Sequence, residues 1–399
     1  MTKNKEKELD NNCNTVLSIL KTSLFEADLV LYDGVDYTAV YQELVDQAIL
    51  PITAKVYKSL PLDIDLFEKW HHTILQQIAS GTQIQNTESF LIRLLDDNGI
   101  QSAILKGSAA AKNYPIGIHR VYGDVDIIVN PDDFEKAAGL LSNAGCKQAT
   151  ELFENYRNVT YYRNGVEIEL HRHFFDEEQF KWDREIIYPA LTRCQKVKIG
   201  SFFVNLLPDL ENGLVLLQHF RQHIVGELGF RQLVDWLMFV NSVCDDAFWK
   251  EHFQLKAREM GLEQLAKVST ALGQQYFGLS KSITWCTGVT PEAVDELFYY
   301  LVDNGNFGKK RETKDRTIER IIGRNRSLFG WLKYLQSTGV SHWSLAQKNR
   351  FLRAFAWFYQ LMRYVILGIK SGNVKDVINR NEIEWVKRKK KLYSLLGIE

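Results

Sequence analysis

The sequence predicts an α+β fold, in which a small mixed-sheet core is flanked by N-terminal helices and by a large C-terminal helical region. Helical periodicity, with apolar residues three or four positions apart, extends from about residue 14 to residue 98 and resumes after residue 208. Between these stretches, short apolar runs alternate with turn residues, as strands do. We therefore expect an N-terminal helical region at 1–98, an α+β core at 99–206 and a C-terminal helical domain at 207–399.

The core region consists of short predicted elements. Ser108 follows an apolar strand-like run and has a side chain suited to a helix N-cap. Asn164-Gly165 separates two strand-like runs and is a strong signal for a two-residue hairpin turn. In chain order we predict a strand at 99–105, a short helix at 108–114, a strand at 124–129, a helix at 132–145, a hairpin at 158–174 and further strand candidates within 194–207, around Gly200-Ser201.

Composition excludes several classes of protein. The 399 residues include 49 basic and 49 acidic side chains, so an extensive nucleic-acid interface is not expected. The five cysteines form no CxxC pair and the polar N-terminus carries no apolar signal segment, which predicts a cytoplasmic protein with reduced thiols. The apolar run at 351–369 is interrupted by Arg353 and Arg363, so we predict a buried amphipathic helix and no membrane span. The basic runs at 309–326 and 385–391 are typical of solvated segments.

Asp124 and Asp126 are separated by a single residue in the apolar run DVDIIV. Because side chains alternate along a strand, both carboxylates point to one face, roughly 7 Å apart. They repel each other unless a cation lies between them. Mg²⁺ favours one or two carboxylates together with phosphate oxygens, so the pattern indicates a magnesium site. Polar residues on a solvated sheet edge are the other interpretation of an isolated pair of this kind.

The predicted strand VEIELH repeats the pattern. Glu167, Glu169 and His171 share one face of this strand, and the apolar residues share the other. If this strand neighbours DVDIIV in one sheet, a third carboxylate joins the aspartate pair. Three acids suffice to hold two metal ions for in-line phosphoryl transfer.

The turn LKGS precedes both acidic strands. Gly107 allows the backbone to bend closely, and Ser108 opens the predicted short helix. Free N–H groups at a helix start bind phosphate oxygens, to which the serine hydroxyl can add a hydrogen bond and Lys106 a positive charge. The turn is therefore a candidate phosphate-binding loop, and a tight turn with a capping serine is the alternative.

Taken together, the apolar strand, the Gly-Ser turn, the short helix and the two acidic strands resemble the nucleotidyltransferase superfamily of DNA polymerase beta. More narrowly, ILKGSAAAKNYPIGIHRVYGDVDIIV, VEIELHRHF and GFRQLVDWLMF resemble a bacterial family of largely uncharacterised nucleotidyltransferases. The resemblance covers residues 50–272 and is strongest at 103–175. It implies that the region 99–206 is a nucleotidyltransferase core.

The resemblance also implies a role for each matching residue. Gly107 and Ser108 would hold the triphosphate, with Lys106 beside them, and Asp124 and Asp126 would bind both metal ions. A third acid would bind the catalytic metal and accept a proton from the acceptor.

Glu169 matches that third acid because it stands two residues before His171, and Glu167 on the same face is the alternative. The family frequently has aspartate at this position, and glutamate also coordinates Mg²⁺.

Three further residues are candidates for the nucleotide site. Arg120 precedes the Asp-x-Asp strand and can neutralise phosphate charge, and His171 shares the face of the acids. His223 lies on a helix face that the resemblance places over the nucleotide or the acceptor. His219, His223 and Glu227 are spaced four apart, which also suits zinc, but the glutamate that zinc helices carry beside the first histidine is missing.

These residues predict an enzyme that transfers a nucleoside monophosphate from an NTP, with ATP the first candidate, to a hydroxyl-type acceptor and releases pyrophosphate. The cofactor would be Mg²⁺, with Mn²⁺ as the substitute, and neutral net charge favours a small molecule, a sugar or a protein as acceptor over an RNA end. The main alternative is a catalytically silent nucleotide-binding or regulatory module on the same fold. A helical interaction protein with a coincidental acidic strand is the third hypothesis.

Overall fold

A computed structural model describes residues 9–149, 157–176, 179–226, 229–305 and parts of 332–398. The chain divides into two compact units, residues 1–310 and 311–399. All of the described strands belong to the first unit and form a single sheet. This unit also carries every residue of the candidate site.

Among the described residues, three α-helices precede the sheet, in the N-terminal region that the sequence predicts to be helical. They are α1 (Asn11–Phe25), α2 (Tyr37–Asp46) and α3 (Ile64–Asp96). Each begins after an aspartate whose side chain accepts hydrogen bonds from N–H groups of the first turn, which have no partner within the helix. α3 is 33 residues long and packs along the sheet.

The strands are β1 (Ser102–Leu105), β2 (Val125–Val129), β3 (Lys147–Gln148), β4 (Asn158–Arg163), β5 (Val166–His171), β6 (Gln195–Ile199) and β7 (Phe202–Leu206). They form a mixed sheet in the order β3-β4-β5-β2-β1-β7-β6. β2 pairs with β5, and β1 with β7, in parallel, whereas the other neighbours are antiparallel. The α+β class predicted from the sequence is confirmed.

The predicted hairpin is present as β4 and β5. Its turn consists of Asn164 with φ 51° and Gly165 with φ 81°. Two consecutive left-handed residues match the right-handed twist of the flanking strands, which is why asparagine and glycine are favoured there. The ladder then runs from the Arg163–Val166 pair to the Asn158–His171 pair and fixes which face His171 occupies.

The sheet core is apolar and closely packed. β1 and β2 are buried along their whole length, because α3 covers one face and neighbouring strands flank both. Leu91, Ile92 and Leu95 of α3 belong to the same buried cluster as Ile104 and Ile127 of the two central strands. This close packing fixes the positions of β1 and β2 and therefore of the residues at their ends. The helices between the strands are α4 (Gly107–Ala111), α5 (Phe134–Asn143), α6 (Phe180–Trp182) and α7 (Tyr188–Leu191).

Helices dominate after the sheet, as predicted. Helix α9 (Phe230–Ser242) packs against both α8 (Asp209–Gly226) and α4, so α9 stands beside the turn after β1. The helices are α8 (Asp209–Gly226), α9 (Phe230–Ser242), α10 (Asp246–Phe248), α11 (Gln254–Glu259), α12 (Glu263–Leu272) and α13 (Pro291–Asn304).

The second unit contains helices at Arg350–Arg353, Ala356–Lys370 and Arg380–Leu396. The predicted helical run at 351–369 is thus present, but Phe351 is 73% and Phe358 51% exposed, so the prediction that it is buried is wrong for these side chains. The basic run 385–391 lies in the last helix, and the run 309–326 falls outside the described residues.

In the part of the chain that the structure describes, every helix is too short or too polar to cross a bilayer.

Candidate functional site

The register of the sheet brings three strands together at one level. In the parallel pair β2–β5, Asp126 is opposite Glu169, and in the antiparallel pair β1–β2, Leu105 is opposite Asp126. β1 ends at Leu105, so the chain turns at Lys106 and Gly107 directly beside these acids. Lys106, 20 residues before Asp126, and Glu169, 43 residues after it, therefore lie beside Asp126 at one end of these three neighbouring strands.

Asp126, Glu169 and His171 form the centre of the site. His171 Nε2 lies 2.9 Å from Asp126 Oδ1 and 3.3 Å from Glu169 Oε2. One potential ligand atom from each side chain lies within 4.8 Å of the others, and among the described residues no other three metal-binding side chains cluster in this way. Asp126 and His171 are almost fully buried, whereas Glu169 is partly exposed, so the cluster opens to solvent beside Glu169.

Lys106 completes this cluster from the turn. Its Nζ lies 2.7 Å from Asp126 Oδ1, and its own side chain is mostly buried. The backbone of Lys106 has φ 54° and ψ −108°, a conformation that L residues rarely adopt and that costs about 1–3 kcal/mol. A residue held in such a conformation beside a buried carboxylate is a marker of a functional site.

The charges of the cluster stabilise one another. Burial by itself would raise the pKa of Asp126, but Lys106 and His171 hold that pKa well below its usual range. The hydrogen bond from His171 lowers the pKa of Glu169. Burial would lower the pKa of His171, but the bonds to both carboxylates raise it overall. Asp126 and Glu169 are therefore ionised at neutral pH.

The other two acids of the motifs lie at the margin of the cluster. Asp124 immediately precedes β2 and has an exposed side chain. Desolvation by the surrounding protein, followed by the charge of the Asp126 carboxylate, raises the pKa of Asp124, whereas the charge of Lys106 lowers it. Glu167 is exposed at the far side of Glu169, where it accepts a hydrogen bond from the hydroxyl of Tyr162 at 3.3 Å. The register thus places Glu169 rather than Glu167 opposite Asp126.

The Gly107-Ser108 turn differs from the sequence expectation. The short helix begins at Gly107, and Ser108 does not cap it. The Ser108 hydroxyl donates to Glu88 Oε2, and the Ser108 amide donates to Glu88 Oε1 at 3.3 Å. A Cβ atom at Gly107 would lie only 2.6 Å from Glu88 Oε1, so the approach of this carboxylate requires glycine.

Glu88 is the residue that reasoning from the sequence missed. It is completely buried in α3, and burial raises its pKa to about 7. A signal for it was present in the sequence: Ile84, Leu91 and Ile92 stand four, three and four positions away, so helical periodicity places Glu88 on the buried face of α3. A carboxylate on an apolar helix face needs a buried partner, and Ser108 is that partner.

Arg120 is held by α9. Its Nε and Nη2 donate to the two carboxylate oxygens of Asp235, each at 2.8 Å, and the Tyr114 hydroxyl donates to Oδ1 of the same residue at 2.7 Å. Burial opposes the charge of Arg120, but Asp235 raises its pKa above the ordinary value. This fork-shaped pair ties the segment before β2 to α9. Arg231, one turn earlier on α9, lies beside Gly123 at the mouth of the site.

Two histidines of α8 lie close to each other. His219 Nε2 and His223 Nε2 are 2.8 Å apart, so one of them donates and the other accepts. Burial, followed by the charge of Lys106, lowers the pKa of His219 well below its ordinary value. His219 is therefore neutral at neutral pH, and the charges of Arg231 and Arg120 lower its pKa in the same direction. Glu227, the third residue of the zinc-like spacing, lies outside the described residues.

A glycine turn and a carboxylate cluster on a mixed sheet form the arrangement that the resemblance to nucleotidyltransferases implies. The sequence profile of a family described as uncharacterised nucleotidyltransferases matches residues 33–278, which is more than half of the chain. The protein belongs to this family.

No curated protein matches the sequence. A similar solved structure is the crystal structure of an antigenic nucleotidyltransferase-like protein from Paracoccidioides brasiliensis. It is 16% identical, with a TM-score of 0.31, and the match covers 47% of this chain and 91% of that one.

Proposed function

We propose that the protein is a divalent-metal-dependent nucleotidyltransferase that moves a nucleoside monophosphate from an NTP to a hydroxyl-type acceptor and releases pyrophosphate. The observation that carries this proposal is the in-register pair of Asp126 and Glu169 directly beside the strained turn at Lys106. Membership in a nucleotidyltransferase family supports the class of reaction. We also infer that the family belongs to the superfamily of DNA polymerase beta.

The donor set fits a hard divalent cation. Asp126 and Glu169 offer ionised carboxylates at one edge, and Asp124 stands two residues before Asp126. His171 is better suited to orient these carboxylates than to bind Mg²⁺, because its Nε2 faces both of them while its buried Nδ1 has no hydrogen-bond partner among the described residues. Asp124, Asp126 and Glu169 would therefore hold Mg²⁺ or Mn²⁺. When bound, the metal supplies positive charge that offsets the charge of the leaving pyrophosphate.

The chemistry assigned to the chain itself is proton acceptance and positioning. The acceptor oxygen forms a bond to the α-phosphorus while the bond between that phosphorus and the bridging oxygen of pyrophosphate breaks. The hydroxyl proton passes to the carboxylate of Glu169, which its lowered pKa keeps ionised and which is the partly exposed member of the cluster. The electron pair of the broken bond leaves with pyrophosphate.

Six residues are proposed to serve the nucleotide, and their surroundings support different roles. Lys106 and His171 lie in the cluster and can contact phosphate and orient the acids. Gly107 provides the close turn. Ser108 is hydrogen-bonded to Glu88, and Arg120 to Asp235. Their proposed role is therefore to fix the position of the segment that would bind phosphate. His223, paired with His219, is the contact proposed from α8.

The proposed nucleotide substrate is an NTP, with ATP as the first candidate. The acceptor proposal is a small molecule, a sugar or a protein side chain, because 49 acidic residues balance 49 basic ones and leave no excess charge for an extensive nucleic-acid interface.

The test is a transfer assay with purified protein, Mg²⁺ and each of the four NTPs labelled at the α-phosphate, incubated with fractionated lysate. We expect label on an acceptor fraction and release of pyrophosphate. Glu169→Gln should abolish transfer, whereas Glu167→Gln, on the same strand and face, should retain it. Loss of transfer in Glu167→Gln alone would reassign the third acid.

Nucleotide binding without any transfer by the wild-type protein would support the catalytically silent module instead. In that case Asp124→Asn with Asp126→Asn would leave binding of NTP unchanged. Neither binding nor transfer with any NTP would contradict the proposal.

A further inference from the structure

The Lys106 ammonium and the His171 imidazole converge on one oxygen of Asp126. Lys106 Nζ lies 2.7 Å and His171 Nε2 2.9 Å from the same Oδ1 atom. When an oxygen accepts one hydrogen bond from an ammonium and one from an imidazole, both of its lone pairs are in use, so it has no room for a third partner. Asp126 is also the most deeply buried acid of the ligand set, at 2% exposure, so its charge requires a partner within the protein.

The backbone presents Lys106 to this oxygen. Lys106 directly follows Leu105, which is opposite Asp126 in the sheet, and Gly107 behind it is confined by the Glu88 carboxylate. The turn is therefore held on one side by the strand pairing and on the other by α3. The unfavourable conformation of Lys106 is maintained because both neighbours are fixed.

We propose that Lys106 is an internal counter-cation of the metal site, which neutralises Asp126 when no divalent cation is bound and releases it when one binds. This inference rests on the proposed function, because it concerns the same ligands. After release, the ammonium lies at the edge that the triphosphate would approach, where it can pair with phosphate oxygens.

The physical reason is competition between cations. A divalent cation and an ammonium repel each other strongly at hydrogen-bond distance from one oxygen, so both cannot occupy Oδ1. Without either, Asp124, Asp126 and Glu169 would repel one another at the sheet edge. Lys106 therefore keeps the acids together before the metal arrives, at the cost of weaker metal binding in the absence of nucleotide. The long flexible side chain of lysine suits this movement.

The test measures Mn²⁺ affinity of the full chain without nucleotide, by electron paramagnetic resonance of the free ion. Lys106→Met should bind Mn²⁺ about tenfold more tightly, the factor expected from loss of one competing charged hydrogen bond. Binding of NTP in the presence of metal should weaken in the same variant. Lys112→Met is the matched control, because Lys112 lies at the end of the same short helix and pairs with Asp209 outside the cluster. Its Mn²⁺ affinity should equal that of the wild-type protein.

Unchanged or weaker Mn²⁺ binding by Lys106→Met would overturn the inference and leave the proposed function standing. An equal gain in Mn²⁺ affinity in Lys112→Met would also overturn it, because the loss of one positive charge anywhere near the site would then explain the gain. Absence of Mn²⁺ binding by the wild-type protein would contradict the metal site and the proposed function together.

A second measurement uses the wild-type chain, in case Lys106→Met does not fold. Amine labelling followed by mass spectrometry should modify Lys106 several-fold faster with Mg²⁺ than without it, while Lys112 stays unchanged. An equal or slower rate at Lys106 would overturn the inference.

Discussion

Glu88 accepts two hydrogen bonds from Ser108, one from its hydroxyl and one from its backbone amide. Both groups are the donors that a phosphate-binding turn would offer to a nucleotide. The buried carboxylate thus occupies the inner side of the turn and fixes its position relative to α3. Under the proposed function, the phosphate contacts would therefore come from Lys106, from the outer side of the turn and from the cation that the acids would hold.

Glu88→Gln should change how stability depends on pH. Because burial raises the Glu88 pKa from 4.5 to about 7, the folded protein binds more protons than the unfolded chain between these values. The free energy of unfolding contributed by Glu88 therefore falls as pH rises through that window, by about 3 kcal/mol in all. Glutamine cannot ionise and should remove this decrease.

Chemical denaturation at pH 5, 6.5 and 8 measures the difference. Asp183, whose pKa burial raises to about 6, contributes a slope of the same sign, so only the difference between wild type and variant isolates Glu88. Identical slopes in the two proteins would contradict the assignment, and Glu135→Gln, at an exposed carboxylate, is the control.

Gly107→Ala should destabilise the protein by about 1–3 kcal/mol, the usual cost of overpacking a closed site. The added Cβ would lie 2.6 Å from Glu88 Oε1, so the carboxylate or the turn must move. A double-mutant cycle with Glu88→Ala measures this directly. The cost of Gly107→Ala should become smaller when Glu88 is absent, and strict additivity would show that the two residues do not interact.

Asp126→Asn should lower Mn²⁺ affinity at least about tenfold, because even residues that only orient metal ligands contribute factors of 10–100. The substitution also leaves Lys106 and His171 without their shared anion, so thermal stability is recorded alongside binding. Glu167→Gln should leave Mn²⁺ affinity within twofold of wild type. Equal losses in both variants would indicate that the carboxylates act only through overall charge.

Asp235→Ala should cost about 3–5 kcal/mol, the range for removing one partner of a buried ion pair. Arg120 would lose both hydrogen bonds to the carboxylate, and the buried Tyr114 hydroxyl would lose its acceptor. Glu135→Ala breaks an exposed pair with Arg172 and should change stability by only about 0–1 kcal/mol. Comparable effects of the two substitutions in urea unfolding would contradict a structural role for Asp235.

Much of the site could be predicted because its residues belong to short, regular elements. Alternation along VEIELH placed Glu167, Glu169 and His171 on one face, and the Asn164-Gly165 turn located the hairpin that carries them. Alternation alone could not choose between the two glutamates, because both share that face, and only the family resemblance favoured Glu169. The choice depends on which residue is opposite Asp126, and this is a property of pairing between strands that are distant in the sequence.

The sequence analysis assigned Arg120 to phosphate because it precedes the Asp-x-Asp strand, and Ser108 because it opens the predicted short helix. Neither local argument can identify a partner that is distant in the sequence. Arg120 pairs with Asp235, 115 residues later, and Ser108 pairs with Glu88, 20 residues earlier. Helical periodicity indicated that Glu88 is buried, but not what it contacts. The packing of α3 and α9 against the sheet edge selects these partners.

The sequence by itself determined the α+β class, the hairpin and the acids that share a strand face, because dihedral preferences and side-chain alternation act over a few residues. Only the tertiary structure decided that Glu169 lies opposite Asp126 and that Lys106 and His171 both contact Oδ1 of Asp126. It also decided that Glu88 accepts the hydrogen bonds of the turn. These contacts follow from strand register and helix packing, in which buried charges must find partners wherever the folded chain brings them.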